Sequence, residues 1–501
     1  MEAFEVEASI AEGKEALQAL LSFVQEKAGQ LEAQEAEKGI FKRLMPLGLA
    51  ALRLYFAERG TGEVGRAVER EDGVVLVREG QLRERAYFSL FGKLEVPRTC
   101  YRTAGEAGIF PLDAQANLPE RCYSYFLQEW MTLFAVEHPF QESAGWFEQL
   151  FDLDLAASVL IDVAKEAPQD SEAFYTQEPP PAAETEGEIL VVSVDGKGVP
   201  MIKAEAAKLQ AKLGTGEKRQ KKKEALVGVC YTVNRKERSA EELAERLVDP
   251  EAARDRRQRA GQKDDAPKAQ HVRRLASLAR PKQTVLESLR DEATRRDPER
   301  QRPLAVLLDG ALGLWSLVRK GFQGWENVTF VLDIMHVVGY LWVAANALFR
   351  EGSEEGKQWV QAKLTQILRG RVGYVIGSLK QTLAKRKLKP SSREALRSVI
   401  RFLHNHRRWM KYDEYLAAGL PVATGVVESA CGSVVKHRME GEGKRWSLEG
   451  AEAILALRSL KKSHDNDLPA YWRFHAQQER GRRYTQQPHY QPLAEEWKRA
   501  A

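Results

Sequence analysis

The chain has 501 residues, of which 43% are hydrophobic, and this is enough for a large core and for two or three domains. It contains no run of about eighteen uncharged apolar residues, and its acidic start lacks an apolar signal core. These features argue against a membrane span and an export signal, so we expect a cytoplasmic protein. The net charge of +5 is too small by itself to indicate a nucleic-acid partner.

The four cysteines are scattered along the chain, at Cys100, Cys122, Cys230 and Cys431. None of them forms a C-x-x-C pair, so a structural zinc site has little support. Free thiols in a reducing compartment are the expected state.

The first part of the chain, 1–178, is predicted to be a mainly helical domain with a small β hairpin. Apolar residues recur at helical spacing in 13–37 and again in 41–60. The alternation in 72–80 indicates a strand, and 85–103 has the pattern of a hairpin.

Two further helices are expected in this domain, at 140–152 and 155–167, joined by a short polar turn. They form either a DNA-binding helix-turn-helix or an ordinary helical hairpin. We expect this domain to bind DNA ends.

A proline-rich acidic linker, 179–188, precedes a fully apolar strand that begins at Ile189 and ends at Asp195. Such a strand is typical of a mixed sheet covered by helices on both faces. Further apolar strands are predicted at 225–233, 303–308 and 327–332. The charged, helix-prone stretch 235–302 is expected to be partly mobile.

The expected fold class is α/β, with an RNase H-like mixed sheet core. The core begins in 189–336, which includes a basic insertion, and is interrupted by an all-helical insertion at 337–420. It is completed by 421–480, which contains the helix of Glu428, and a polar tail follows at 481–501.

Three carboxylates have the chemistry of a divalent metal site: Asp195 and Asp309 close predicted strands, and Glu428 lies near the start of a helix. Mg²⁺ or Mn²⁺ prefers hard oxygen ligands. Two such ions can activate the attacking oxygen and stabilise the leaving oxygen in an in-line displacement at phosphorus. Singly, each acid has a simpler interpretation, because Asp-Gly is a common turn dipeptide and acids favour the first turn of a helix. The combination and its order indicate the site.

Four segments resemble the DDE transposases of bacterial insertion sequences: VVSVDGKGV, VLLDGALGLW, FVLDIMHVVGYLW and TGVVESACGSVVKHRM with EGEGKRW. The chain is most similar to the ISKra-type group, which is distantly similar to the Mutator-like elements. The resemblance covers about 190–460. It implies movement of a DNA element, with Asp195, Asp309 and Glu428 as the metal triad.

The second metal ligand has an alternative. Asp333 and His336 form a D-x-x-H pair at the end of a strand, in the place of the Cys/His pair that follows the second aspartate in Mutator-like enzymes. Asp333 could replace Asp309 as the ligand. We favour Asp309, with Asp333 and His336 orienting the site or acting as structural residues.

Basic residues in several segments are candidates for DNA contact, since phosphates dominate nucleic-acid affinity. Related enzymes place a basic residue seven positions after the glutamate, where this chain has Val435, with Lys436 next. Trp446 could stack on an unpaired base. Solvated loops and core packing are the alternatives. The candidates are Lys218, Arg219, Lys221, Lys222, Lys223, Lys436, Arg438, Arg445 and Trp446.

The sequence therefore predicts a Mg²⁺- or Mn²⁺-dependent transposase. Its partners would be the terminal inverted repeats and target DNA, bound by a homo-oligomer at the nucleoid. Two alternatives stay open: an RNase H-like nuclease that hydrolyses without joining, and a catalytically inactive DNA-binding derivative.

Overall fold

A computed structural model describes residues 3–70, 72–209, 221–259, 261, 267–441, 443–464 and 466–484. The chain divides into two compact units, the described residues of Met1–Gln177 with Leu468–Ala501, and those of Glu178–Asp467. Within the described ranges, no helix has the length and apolarity that a membrane crossing needs. The predicted polar tail lies mostly beyond residue 484, outside these ranges.

The first unit contains helices and two small antiparallel sheets. Its helices are α1 (Val6–Lys27), α2 (Ala33–Arg59), α3 (Pro111–Gln115), α4 (Tyr125–Ala135), α5 (Phe140–Phe151), α6 (Ala157–Glu166), α7 (Ser171–Gln177) and, from the C-terminal part of the chain, α21 (Leu468–Tyr484). Its strands are β1 (Ala67–Glu69), β2 (Val75–Arg78), β3 (Arg83–Ser89), β4 (Gly92–Arg98) and β5 (Tyr101–Arg102). The predicted hairpin is confirmed as β3–β4, with Gly92 at φ 129° beside its turn.

The helix predicted over 13–37 is wrong in its extent, because the chain leaves the helical conformation between α1 and α2. Glu32 begins α2 with a capping box in which its side chain and that of Glu35 each accept a backbone N–H. The two helices then pack against each other. A Cβ on Gly39 would lie 2.1 Å from the Phe23 ring, so this glycine permits the close approach.

The last described helix, α21, differs from its expected place in the completion of the α/β core. It belongs to the first unit, because its apolar face packs there and its polar groups find partners there. Trp472 Nε1 donates to Thr132 Oγ1 at 3.1 Å, and His475 Nδ1 lies 2.7 Å from Asp170 Oδ2. Arg482 adds two hydrogen bonds to Asp170, at 2.6 and 2.8 Å.

The second unit is a five-stranded sheet with helices around it. Its strands are β6 (Ile189–Pro200), β7 (Lys222–Val233), β8 (Gln270–Ser277), β9 (Leu304–Leu308) and β10 (Val328–Leu332). Its helices are α8 (Lys203–Lys208), α9 (Ala240–Val248), α10 (Pro250–Arg259), α11 (Lys282–Arg296), α12 (Leu312–Gly321), α13 (Ile334–Leu348), α14 (Glu354–Leu368), α15 (Val372–Lys385), α16 (Pro390–His406), α17 (Tyr412–Ala417), α18 (Gly425–Ala430), α19 (His437–Met439) and α20 (Leu448–Lys462). The all-helical character predicted for 353–418 is confirmed.

The sheet is mixed, and its strand order is β8-β7-β6-β9-β10. β6, β9 and β10 are parallel to one another, whereas β7 pairs antiparallel with β6 and β8 pairs antiparallel with β7. Every residue of β9 is buried, as expected for a central strand covered on both faces. The predicted mixed α/β architecture is thus confirmed.

Two strand predictions need correction. β6 does not end at Asp195 but continues to Pro200, because β7 supplies hydrogen-bonding partners along the whole segment, down to Lys222. The stretch 235–302, expected to be helical and mobile, contains β8, which pairs with the otherwise open edge of β7.

A buried ionic cluster joins α11 to the sheet. Glu292 accepts hydrogen bonds from Arg296 Nε and from Arg295, both at 2.7 Å, and only 4% of Glu292 is exposed. Burial alone would raise the pKa of Glu292, but the charges of Arg296 and Arg273 lower it to about 2. The ionised carboxylate is therefore the form that stabilises this fold.

Glu292→Gln should destabilise the chain at neutral pH and flatten the acid limb of its stability curve. The folded-state pKa lies below the ordinary value, so the stabilisation is complete above about pH 4.5 and is lost as the pH falls toward 2. We expect a loss of about 3 kcal/mol in the free energy of unfolding at pH 7, measured by urea denaturation. The exposed neighbour Asp291→Asn is the control, and a wild-type pH dependence in Glu292→Gln would contradict the prediction.

Candidate active site

Three aspartates follow equivalent positions on the three parallel strands. Val194 of β6 pairs with Leu308 of β9, and Leu308 pairs with Leu332 of β10. Asp195, Asp309 and Asp333 are the next residues along each strand. Because neighbouring strands are roughly 5 Å apart, the register brings all three to one edge of the sheet.

The helix of Glu428 is joined to the same edge by Cys431, which contacts Asp195, and by the backbone N–H of Thr424, which contacts Asp333. Cys431 Sγ donates to Asp195 Oδ2 at 3.3 Å, and Thr424 Oγ1 donates to Glu428 Oε1 at 3.2 Å. Burial raises the pKa of the Cys431 thiol, and the carboxylates of Asp195 and Glu428 raise it further. The thiol is therefore protonated and acts as a donor. The thiol thus contacts Asp195 directly, and Glu428 acts on it through its charge.

Asp333 is a buried linking residue. Its Oδ1 accepts the backbone N–H of Thr424 at 3.0 Å, and its Oδ2 lies 2.8 Å from His336 Nδ1 and accepts the His336 N–H at 3.3 Å. The hydrogen bond from the His336 backbone N–H caps the start of α13. Asp333 is 0% exposed, so its carboxylate is enclosed by these partners.

The pKa of His336 is raised by the aspartates at this edge of the sheet. The hydrogen bond to Asp333 raises the pKa of this histidine most, burial acts in the opposite direction, and the charges of Asp309 and Asp195 raise it further. Its side chain is 42% exposed. An exposed imidazole thus lies beside the group of acids.

Asp309 has a different environment from Asp333. It is half-buried, and its Oδ1 accepts the N–H of Ala311 at 2.9 Å, which forms a local turn. Its backbone carbonyl accepts Trp315 Nε1 at 2.7 Å. The backbone of this acid is fixed while part of its carboxylate faces solvent.

The donor chemistry of Asp195 and Asp309 suits Mg²⁺ or Mn²⁺, because both acids offer hard oxygens at adjacent strand positions. Mg²⁺ usually binds through one or two carboxylates together with water and phosphate oxygens. Within the described residues, no group of three or more His, Cys, Asp or Glu side chains is already arranged to hold a metal. The residues therefore fit a two-aspartate site, with the exposed Glu428 as a neighbouring third acid.

The predicted DNA-contact residues fall into three groups. Lys218 and Arg219 lie outside the described residues. Arg438 and Trp446 are buried, with the guanidinium 4.7 Å from the ring centroid, so they belong to the packing, and this burial gives no support to the prediction that they contact DNA. The remaining candidates lie at the surface or partly so: Lys221, Lys222, Lys223, Lys436 and Arg445.

A π-helix, Cys431–Lys436, decides which residue after Glu428 returns to the same face of the helix. In an α-helix of about 3.6 residues per turn, a side chain returns to the same face after seven residues. The wider i→i+5 turn absorbs about one extra residue, so the face of Glu428 recurs at Lys436. Val435 is 0% exposed, whereas Lys436 is exposed.

Lys197 was missed by the sequence analysis. It lies two residues after Asp195 on β6, so the alternation of a strand places both on one face. Its Nζ is 3.8 Å from Glu440 Oε2, and Lys222 Nζ is 2.8 Å from Glu440 Oε1. The hydrogen bond from Lys222 lowers the pKa of Glu440, and Lys197 and Lys436 contribute to the same direction. The strand period was the signal that could have found Lys197.

The comparisons with known proteins identify no family. No protein-family model and no curated protein matches the sequence. A solved structure, the Drosophila P element transposase strand transfer complex, aligns at 9% identity over 72% of this chain and 92% of that chain. The TM-score is 0.24, which is below the range in which two chains share a fold.

Asp309 and Asp333 are the two candidates for the second metal ligand, and alanine substitutions at the two positions should differ in their effect on the free energy of unfolding. Asp333→Ala removes a helix cap and leaves the buried Thr424 N–H without its acceptor, so we expect a loss of about 3 kcal/mol in the free energy of unfolding. Asp309→Ala loses one local turn contact and should cost about 1 kcal/mol or less. Chemical denaturation measures both, and equal losses would contradict the structural assignment of Asp333.

Proposed function

We propose that this chain is a metal-dependent DNA strand-transfer enzyme, the transposase of a bacterial insertion sequence. The observation that carries the proposal is the shared register of Asp195 and Asp309, with the helix of Glu428 tied to Asp195 by Cys431. Two acids on adjacent parallel strands, with a third on a nearby helix, offer the hard oxygen donors that metal-dependent polynucleotide cleavage and joining would need.

The order of elements supports an RNase H-like core. A strand with Asp195 comes first, followed by antiparallel strands, a strand that precedes Asp309, a helix and a further parallel strand. Helices α13 to α17 then separate these strands from α18, which contains Glu428. This agrees with the order inferred from the sequence.

Asp309 is the better candidate than Asp333 for the second ligand. Asp333 is 0% exposed, and both of its carboxylate oxygens accept hydrogen bonds inside the protein. Asp309 is half-buried, and of its two carboxylate oxygens only Oδ1 accepts a hydrogen bond from the described residues. Metal binding at Asp333 would require the loss of a helix cap, whereas Asp309 can bind without that cost.

In the proposed reaction, Asp195, Asp309 and Glu428 would hold the divalent metal. When bound, the metal would activate the attacking oxygen and stabilise the leaving oxygen at phosphorus. Cys431 holds the Asp195 carboxylate by its Sγ–H, and Thr424 holds that of Glu428.

Positive charge beside the acids would bind the phosphates of DNA. The pKa of the Glu440 carboxylate is lowered by three lysines, Lys197, Lys222 and Lys436. These four side chains together have an excess of positive charge, which phosphates attract. Synapsis of two element ends implies more than one copy of the chain on DNA, and a homo-oligomer is part of the proposal.

Glu428→Gln should abolish cleavage of linear DNA that contains the sequences flanking the gene. We expect the cleavage rate with Mg²⁺ to fall roughly 100-fold or more, because the substitution removes one metal-binding charge. The affinity for DNA in Ca²⁺ should be unchanged. Asp195→Asn and Asp309→Asn should behave alike, and the exposed Glu326→Gln is the matched control.

Gel analysis of the same reactions separates cleavage from joining to a second duplex. Joined products support strand transfer, whereas cleavage without joining would indicate a hydrolytic nuclease. Unchanged cleavage by Glu428→Gln would overturn the active-site proposal.

Lys436→Ala and Lys222→Ala should weaken DNA binding through lost phosphate contacts. Each should reduce the slope of log affinity against log salt concentration by about one, measured by fluorescence anisotropy. Lys380→Ala, on α15 and exposed, is the charge-matched control. A slope equal to that of the control would exclude Lys436 from the DNA interface and refute the register argument from the π-helix.

A further inference from the structure

The turn at Asp309-Gly310 is enclosed by the end of α16, a helix of the all-helical insertion. His406 is 3% exposed, and its Nε2 lies 3.1 Å from the carbonyl oxygen of Gly310. Its Nδ1 lies 2.8 Å from the carbonyl oxygen of Phe402, one turn earlier in α16. The ring thus connects the insertion helix to the residue directly after Asp309.

Aromatic packing holds this connection from both sides. The Phe402 ring stacks on Tyr340 of α13 at 3.7 Å between centroids, and Trp315 stacks on Trp409 at 3.8 Å. A Cβ on Gly310 would lie 2.5 Å from Phe402 Cε2, so the turn sits directly against that ring. The stacked rings leave His406 little freedom to change its position.

Trp315 completes the enclosure through the other residue of the turn. Its Nε1 donates to the carbonyl oxygen of Asp309 at 2.7 Å, and Trp315 is 1% exposed. The two backbone carbonyls of the Asp309-Gly310 turn therefore both lie against ring nitrogens of buried side chains, one from α12 and one from α16.

The outer side of the same helix end is basic and open to solvent. His404, Arg407 and Arg408 are exposed, while His406 and Trp409 face inward. The helix end from His404 to Trp409 thus has an exposed charged side and a buried side that contacts the turn of Asp309.

We propose that His406 is a positioning residue for Asp309, acting through the Gly310 carbonyl. By holding the turn from the insertion, it fixes the backbone from which the Asp309 carboxylate is directed. The effect on metal binding rests on the proposed function, whereas the effect on the turn itself depends only on the contacts of His406.

Two substitutions of His406 separate its two ring nitrogens. Asn has an amide nitrogen in place of Nδ1 and cannot reach Gly310, so His406→Asn removes the contact to the turn. Gln has an amide nitrogen in place of Nε2, so His406→Gln preserves it. His404→Asn, on the exposed side of the same helix, is the control for loss of an imidazole.

The first measurement is hydrogen-deuterium exchange of the full-length protein, followed in a peptide that covers 309–315. This segment contains the Ala311 N–H that is bound to Asp309 Oδ1. We expect exchange about tenfold faster in His406→Asn, restored by His406→Gln, with no change in a peptide around Asp195. Unchanged exchange at 309–315, or a uniform increase throughout the second unit, would overturn the proposal.

The second measurement is Mn²⁺ affinity by titration calorimetry, without DNA. Residues that orient a metal ligand typically change affinity by about 10- to 100-fold, so we expect a dissociation constant at least about tenfold higher in His406→Asn and near wild type in His406→Gln. A purely structural residue would lower thermal stability in both variants without this difference in affinity.

The outcomes distinguish the two proposals. If the wild type binds Mn²⁺ through Asp309 and His406→Asn binds equally well, His406 does not position the ligand. If Asp195→Asn and Asp309→Asn leave Mn²⁺ binding and DNA cleavage unchanged, the proposed function fails, while the exchange experiment still tests the contact between His406 and the turn.

Discussion

The parallel register of β6, β9 and β10 is the constraint on which the candidate site depends. Each strand contributes an aspartate one residue after a paired position, so a shift of one residue in either pairing would direct an acid to the opposite face of the sheet. The residues before each aspartate are apolar and buried, so a slip that drew an aspartate into this segment would bury its carboxylate. The packing of the core and the positions of the three aspartates therefore depend on the same strand pairing.

Asp333 is the most enclosed of the three aspartates, and the partners of its carboxylate lie inside the protein. Its carboxylate holds the start of α13 and the backbone of Thr424, which is 91 residues away in sequence. It thereby fixes the segment that leads to Glu428, and it contributes to the site through the positions of other residues. Asp309 is held differently, by the Trp315 Nε1 bond to its backbone carbonyl and by the Ala311 N–H bond to its Oδ1.

Much of this arrangement could be predicted from sequence because buried parallel strands have a strong apolar pattern. The runs before Asp195, Asp309 and Asp333 identified their strands for that reason. β8 could not be predicted in this way, since it includes Arg273, which faces the buried Glu292 and breaks the expected alternation. The burial of Arg438 and Trp446 also escaped, because a cation over an aromatic ring has the same composition as a nucleic-acid contact.

The π-helix after α18 has a consequence for how spacing is compared between proteins. What an active site needs is a direction around the helix axis, and the number of intervening residues is only one way to obtain it. When one inserted residue converts an α turn into a π turn, the side chains that follow keep their directions around the helix axis, and the helix contains about one residue more. Two homologous helices can thus place an acid and a base on the same face even when the number of residues between them differs by one. In a sequence alignment without a gap, the lysine of one helix would then be paired with a buried valine of the other.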